Sequence, residues 1–153
     1  MKLLKKNIII DIEMPEIYVT MTDYEKEKYF RGDVEFAYVD KETKSIIGLS
    51  NENMDLDNDQ VVNKIMDYQF MYSRLTPGFQ MGEILHKIID NRNVAILSFK
   101  SNAISRDLYN IVSITSFEGK EYIFNFSCNL KIAEEKINEF IKIIESISFS
   151  KED

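Results

Sequence analysis

Between Pro77 and Cys128 the chain offers four extended, β-prone segments, 79–89, 94–101, 107–117 and 121–128, separated only by Asp90-Asn91-Arg92-Asn93, by residues 102–106 and by Glu118-Gly119-Lys120. A parallel return needs a crossover of a dozen or more residues, so segments this close together pair as an antiparallel meander. Tyr122, Phe124, Phe126 and Cys128 alternate with Glu121, Ile123, Asn125 and Ser127, which makes one face heavily aromatic. Ala95, Leu97 and Phe99 make a similar face on the second segment, while Val94, Ile96, Val112 and Ile114 leave the other faces partly apolar too. A sheet of this kind is covered on both sides, and a single helix cannot do that.

Two amphipathic segments supply the cover. From 59 to 75, Val61, Ile65, Tyr68, Tyr72 and Leu75 recur at spacings of four, three, four and three, which is one helical stripe. Thr76-Pro77-Gly78 ends that helix and turns the chain into the meander. From 131 to 146, Ala133, Ile137, Phe140, Ile141 and Ile144 form a second stripe, with Glu134, Glu135, Lys136, Glu139 and Lys142 expected to face away. Upstream, residues 7–13 read as a short strand ended by Pro15. Thr22-Asp23-Tyr24-Glu25 has capping-box spacing and starts a helix that runs to about Phe30 and stops at Gly32. Segments 34–39 and 45–50 form a hairpin around the polar turn from Asp40 to Lys44, followed by an acidic loop over 51–59. The expected fold is α+β: a single domain over residues 1–153, with a mostly antiparallel sheet of about six or seven strands sandwiched between helices.

At 153 residues the chain can bury roughly 70% of its unfolded surface in one core. Nineteen basic against 26 acidic side chains give a net charge of −7, with the basic ones scattered, which argues against nucleic acid and against an anionic membrane surface. No apolar stretch is long enough for a membrane span. Met1-Lys2-Leu3-Leu4-Lys5-Lys6 resembles the start of an export signal, but the apolar run after it, Ile8-Ile9-Ile10, is broken by Asp11 and Glu13. A cytoplasmic location is the expectation.

Cys128 is the only cysteine, so the chain has neither an internal disulfide nor a cysteine-based zinc cluster. Asp55, Asp57 and Asp59 alternate in the manner of hard-cation ligands, yet an EF-hand starting at Asp55 would need Gly and Glu where Gln60 and Met66 stand. The plainer reading is a solvated loop whose Asn58 or Asp59 caps the long helix, with adventitious calcium as the other. His86, the only histidine, shares a strand face with Ile84 and Ile88. A Cys128–His86 dyad would supply a thiolate and its base, whereas the plainer reading makes Cys128 a small buried hydrophobe. With five glycines there is no Gly-rich phosphate loop, nor is there a Gly-x-Ser-x-Gly elbow. The sequon Asn125-Phe126-Ser127 falls inside a core strand and reads as chance. No catalytic, cofactor-binding or metal residue is therefore assigned.

One feature asks for a partner. At 100° per residue, Phe70 falls almost opposite the apolar stripe of the long helix, among Asn63, Asp67 and Arg74, with Met71 near the same outer edge. Aromatics and Met are enriched at interfaces, although single exposed apolar side chains are also ordinary.

The order of elements resembles the PsbP-like superfamily. The opening strand ending at Pro15, the long helix leading into Leu75-Thr76-Pro77-Gly78-Phe79 and the stretch from Asn93 to Phe99 carry the resemblance. Leu108-Tyr109-Asn110, the stretch from Gly119 to Phe124 and the closing helix ending at Ile147-Ser148-Phe149 continue it over nearly the whole chain. The resemblance implies an α/β/α sandwich and a non-catalytic role, since members dock onto larger complexes, bind a small GTPase, or serve as adaptors and chaperones. No partner-contacting position of those members carries over to a residue here. The expectation is a protein-binding module, adaptor or chaperone-like, without cofactor, whose partner is an unidentified protein and which could also form a homodimer. The alternatives are an enzyme or small-molecule carrier using a cavity between sheet and helix, with His86, Cys128 and nearby tyrosines as polar groups, and a structural subunit with no free ligand.

Overall fold

The structure is a computed structural model and describes residues 1–30, 32, 34–50 and 54–153. In chain order its elements are β1 (Lys2–Lys5), β2 (Ile8–Asp11), β3 (Tyr18–Thr20), α1 (Asp23–Tyr29), β4 (Val34–Asp40), β5 (Ser45–Ser50), α2 (Val61–Leu75), β6 (Gln80–Ile89), β7 (Arg92–Asn102), β8 (Asp107–Phe117), β9 (Lys120–Asn129), α3 (Ala133–Ser146) and β10 (Ser148–Lys151). Seven strands form one antiparallel sheet in the order β3-β4-β5-β9-β8-β7-β6.

The meander is closed by tight turns. Asp90 and Asn91 join β6 to β7 with φ of 52° and 60°, and Glu118 and Gly119 join β8 to β9 with φ of 53° and 74°. Two residues in the left-handed region match the twist of the flanking strands, so Arg92 and Asn93, expected in the turn, belong to β7 instead. Thr22 caps α1 as its spacing indicates: its Oγ1 accepts from the Glu25 amide at 3.2 Å, and Glu25 Oε1 accepts from the Thr22 amide at 3.0 Å.

Both sheet faces are covered. On one, α2 buries Val61 and Ile65 against Ala95, Leu97, Phe99, Val112, Ile114 and Ile123, and Tyr72 stacks on Phe99 with centroids 5.0 Å apart. Beside it α1 lays Tyr29 and Phe30 over Ala37, Val39 and Ile46. The Phe30 ring lies so close to Gly48 that a Cβ there would fall 2.6 Å from it. On the other face, α3 places Phe140, Ile143 and Ile144 over Tyr122, Phe124, Phe126 and Cys128.

Two expectations need correction. The opening strand does not join the main sheet: β2 lies between β1 and β10 in a separate three-stranded sheet, with Ile10 opposite Leu3 on one side and Phe149 on the other. That small sheet shares the α3 face, because α3 alone is too narrow to cover seven strands. Second, α3 is turned so that Lys136 and Ile143 are buried while Ile137 and Ile141 are only partly so. Lys136, expected in solvent, points inward. Asn51, Glu52 and Asn53, the start of the expected acidic loop, lie outside the described residues. No helix among the described residues is long and apolar enough to cross a membrane.

Candidate functional site

The turned helix builds a buried polar cluster that periodicity alone did not reveal. Lys136 Nζ lies 3.2 Å from Asp40 Oδ2 and 2.8 Å from Glu139 Oε2, and it donates to the Tyr18 hydroxyl at 3.3 Å. The Tyr18 hydroxyl donates in turn to Glu139 Oε2 at 2.7 Å, and the Lys136 ammonium stands 5.1 Å from the Tyr18 ring centroid. Asp40 also accepts from the Thr43 hydroxyl at 2.8 Å and from the Glu42 amide at 3.1 Å. The side chains of Lys136 and Asp40 are each only 8% exposed.

Local structure explains how these groups meet. Asp40 ends β4, opposite Tyr18 on the edge strand β3 and Ser45 on β5, so all three project on the α3 side. The first turns of α3 then bring Lys136 and Glu139 down onto that corner. Burial pulls Lys136 down, but hydrogen bonds and charges from Glu139 and Asp40 outweigh it and hold the ammonium above its ordinary pKa. Burial pushes Asp40 up, while Thr43, Lys136 and the Glu42 amide pull harder and leave it below the usual carboxylate range. Burial and the bond to Glu139 raise Tyr18. A lysine that attacks carbonyls needs a lowered pKa, and this one moves the other way. The cluster is an ionic clasp between α3 and the sheet corner.

The proposed Cys128–His86 dyad is not assembled. β9 and β6 are separated by β8 and β7, an offset of about 14 Å sideways at ~4.8 Å per strand, and His86 is in register with Ile123, which sets Cys128 a further five residues away along β9. They also point to opposite sides. His86 pairs with Ala95, whose side chain packs under α2, whereas Cys128 lies in the cluster beneath α3. Cys128 is fully buried, and burial pushes its thiol up to about 11 despite the nearby Lys136 and Arg106. His86 Nε2 is 2.9 Å from Asn93 Oδ1.

The aspartate loop is tied into the fold. Asp55 forms an ion pair with Lys120 across an isolated bridge, and the Asp57 amide donates to Gln60 Oε1 at 2.9 Å. Asn58, expected as a helix cap, instead accepts from the Asn93 amide at 2.8 Å and so pins the loop to β7. Among the described residues no group of three or more His, Cys, Asp and Glu is placed to hold a metal ion.

The half-open space between the main sheet and the small sheet, lined by Leu3, Ile12, Phe36, Tyr38 and Phe124 among others, amounts to about 10 Å³. That is at most one water's worth and fits no cofactor. A broader groove of about 480 Å³ opens to solvent between Glu13, Met14 and Pro15 and the α3 residues Glu139, Lys142 and Ile143.

The outer face of α2 is where the sequence placed a contact. Phe70 is 61% exposed and Met71 39%, and the Arg74 guanidinium lies 5.4 Å from the Phe70 ring centroid. Val62 and Met66, also exposed, precede Phe70 at intervals of four residues, a row not marked by side-chain size, in which only Phe70 stands out.

The sequence matches no family model and no curated protein. Its fold does match solved structures. CyanoP, the cyanobacterial PsbP of Synechocystis sp. PCC 6803, aligns with a TM-score of 0.64 at 12% identity over 99% of this chain and 91% of its own. LpqN of Mycobacterium tuberculosis, involved in cell envelope biogenesis, aligns with a TM-score of 0.60 at 13% identity over 94% of this chain and 84% of its own. PA94, a Pseudomonas aeruginosa protein of unknown function, aligns with a TM-score of 0.54 at 11% identity over 95% and 85% respectively. The chain has a PsbP-like fold.

Proposed function

We propose that this domain is a non-catalytic, cytoplasmic protein-binding module, adaptor or chaperone-like, that presents the outer face of α2 to a partner protein. The observation that carries the proposal is the exposed row of Val62, Met66 and Phe70, with Met71 beside it, on the side of α2 turned away from the core. A water-facing Val, Met and Phe aligned over about two helical turns, with a second Met beside them, fit an amphipathic contact better than isolated surface exposure. The state of the reactive groups supports it as well. The thiol is buried with a raised pKa, and the buried lysine is held charged by two carboxylates.

The test is affinity purification from the native host with the wild-type chain and with Phe70→Asp, followed by reconstitution with the purified partner. Phe70→Asp is expected to weaken the reconstituted complex at least tenfold, about 1.4 kcal/mol, while leaving the melting temperature unchanged. Equal affinity for the two forms would remove α2 as the contact face.

A further inference from the structure

The two edges of the main sheet are unequal. β3 has three residues, whereas β6 has ten, with Met81, Leu85 and Ile88 exposed. A long edge whose backbone groups face water is where another strand adds. Edges that guard against such addition carry charged side chains, Lys above all, or a bulge that twists the edge away.

β6 has a bulge near its start, but from there on it carries charges of both signs, which a second copy can match. Its register against β7 shifts between Met81 and Ile84, with Gly82 and Glu83 together facing Ser98, and the Glu83 amide donates to Ser98 Oγ at 2.9 Å. A Cβ at Gly82 would fall 2.7 Å from the Ser98 carbonyl oxygen, so this bulge needs glycine. From the second bulge residue onward, Glu83, Leu85 and Lys87 share one face, an acid and a base on either side of Leu85.

Ile89 and Arg92 close the two-residue turn and bond each other, so by alternation the outward backbone groups of β6 are those of Ile84, His86 and Ile88. When two copies lie antiparallel about a two-fold axis at Leu85, each Ile84 faces the other copy's His86 and exchanges both backbone bonds with it. Leu85 faces Leu85, and each Glu83 faces a Lys87. Centring the pair on His86 would put Glu83 against Ile89, and centring it on Lys87 would set two ammonium groups face to face. Centring on Ile84 would leave Glu83 against Leu85. Among these registers, that on Leu85 alone matches acid with base, and it does so twice. Lys87 already lies 3.8 Å from Glu145 of its own chain, so the incoming Glu83 completes a line of three alternating charges.

We propose that this chain forms a homodimer in which two β6 edges pair antiparallel about Leu85, joining the seven-stranded sheets of both copies into one. The contact is separate from the outer face of α2, so the dimer and the partner complex fail independently.

Light scattering of the full chain is expected to give twice 18.0 kDa. Lys87→Glu and Glu83→Lys, each converting two attractive pairs into repulsive ones, are expected to shift the mass to 18.0 kDa, and the double charge swap is expected to restore the dimer. Leu85→Cys is expected to form a covalent dimer on mild oxidation, because directly opposed residues of a non-hydrogen-bonded pair stand at disulfide distance. Phe70→Asp is expected to leave the dimer intact. A monomer at every accessible concentration overturns the proposal. So does a dimer that survives both single reversals, a double swap that stays monomeric, or oxidation that links Phe70→Cys but not Leu85→Cys.

Discussion

Lys136 is a polar residue whose loss the fold should feel strongly. Truncation to Met would keep the buried stem but leave Asp40 in its corner with no cation, and breaking one side of a buried pair costs about 3–5 kcal/mol. Glu139 is a quarter exposed and can recover solvent, so the lower end of that range is expected for Lys136→Met in urea unfolding. The double variant Lys136→Met with Asp40→Asn should be less destabilised than the single one. The same cluster sets a pH window. Asp40 is depressed in the fold, so its contribution is present above the ordinary carboxylate value and is lost as pH falls below about 4. Lys136 and Tyr18 are raised, so theirs is present below about 10 and fades as pH climbs through the folded values. Melting temperature against pH should form a plateau between those limits. Cys128 should resist iodoacetamide in the native state and react fully in denaturant, because the thiol is both buried and displaced to about 11.

Among elements, the β6–β7 hairpin makes the most specific demand on sequence. Asn91 sits at φ 60°, where a β-branched side chain is strained. Asn91→Ile is expected to cost about 1–2 kcal/mol and lower the melting temperature by several degrees, whereas Asn91→Gly should be neutral or slightly stabilising, as calorimetry would show. The four long strands and the long helix were legible in the sequence because each spans enough residues for its period to repeat. β1, β3 and β10, of four, three and four residues, were not. Alternation over so short a run does not stand out from chance, and Lys2-Leu3-Leu4-Lys5 reads equally well as a basic tail. The stripe on α3 was legible in kind but not in angle: with apolar residues on nearly half the helix, Asp40 at the sheet corner, joined by Glu139 of the helix itself, decided which edge turned inward.

At the scale of the whole molecule, the small sheet couples the two ends of the chain to the core. Phe149 on β10 stacks on Phe117 at 5.3 Å and packs on Tyr122 at 4.7 Å, while the Arg92 guanidinium covers its ring at 4.5 Å and donates to the Ile147 carbonyl at 3.2 Å. Phe149→Ala is expected to cost about 3–5 kcal/mol. Hydrogen exchange in that variant should quicken first over β1, β2 and β10, and the main sheet should stay protected if the small sheet opens as its own unit. What the sequence determined by itself is the antiparallel meander, the two long covering helices and the absence of a Cys–His pair anywhere near in sequence, because short turns and repeated periods are local properties. Only the tertiary structure decided that Ile8–Asp11 leaves the main sheet, that Lys136 is buried, that Cys128 and His86 face apart, and that β6 remains an open edge. Each of those depends on which distant strand lies next to which, and strand order is chosen by the packing of whole faces, which no window of neighbouring residues contains.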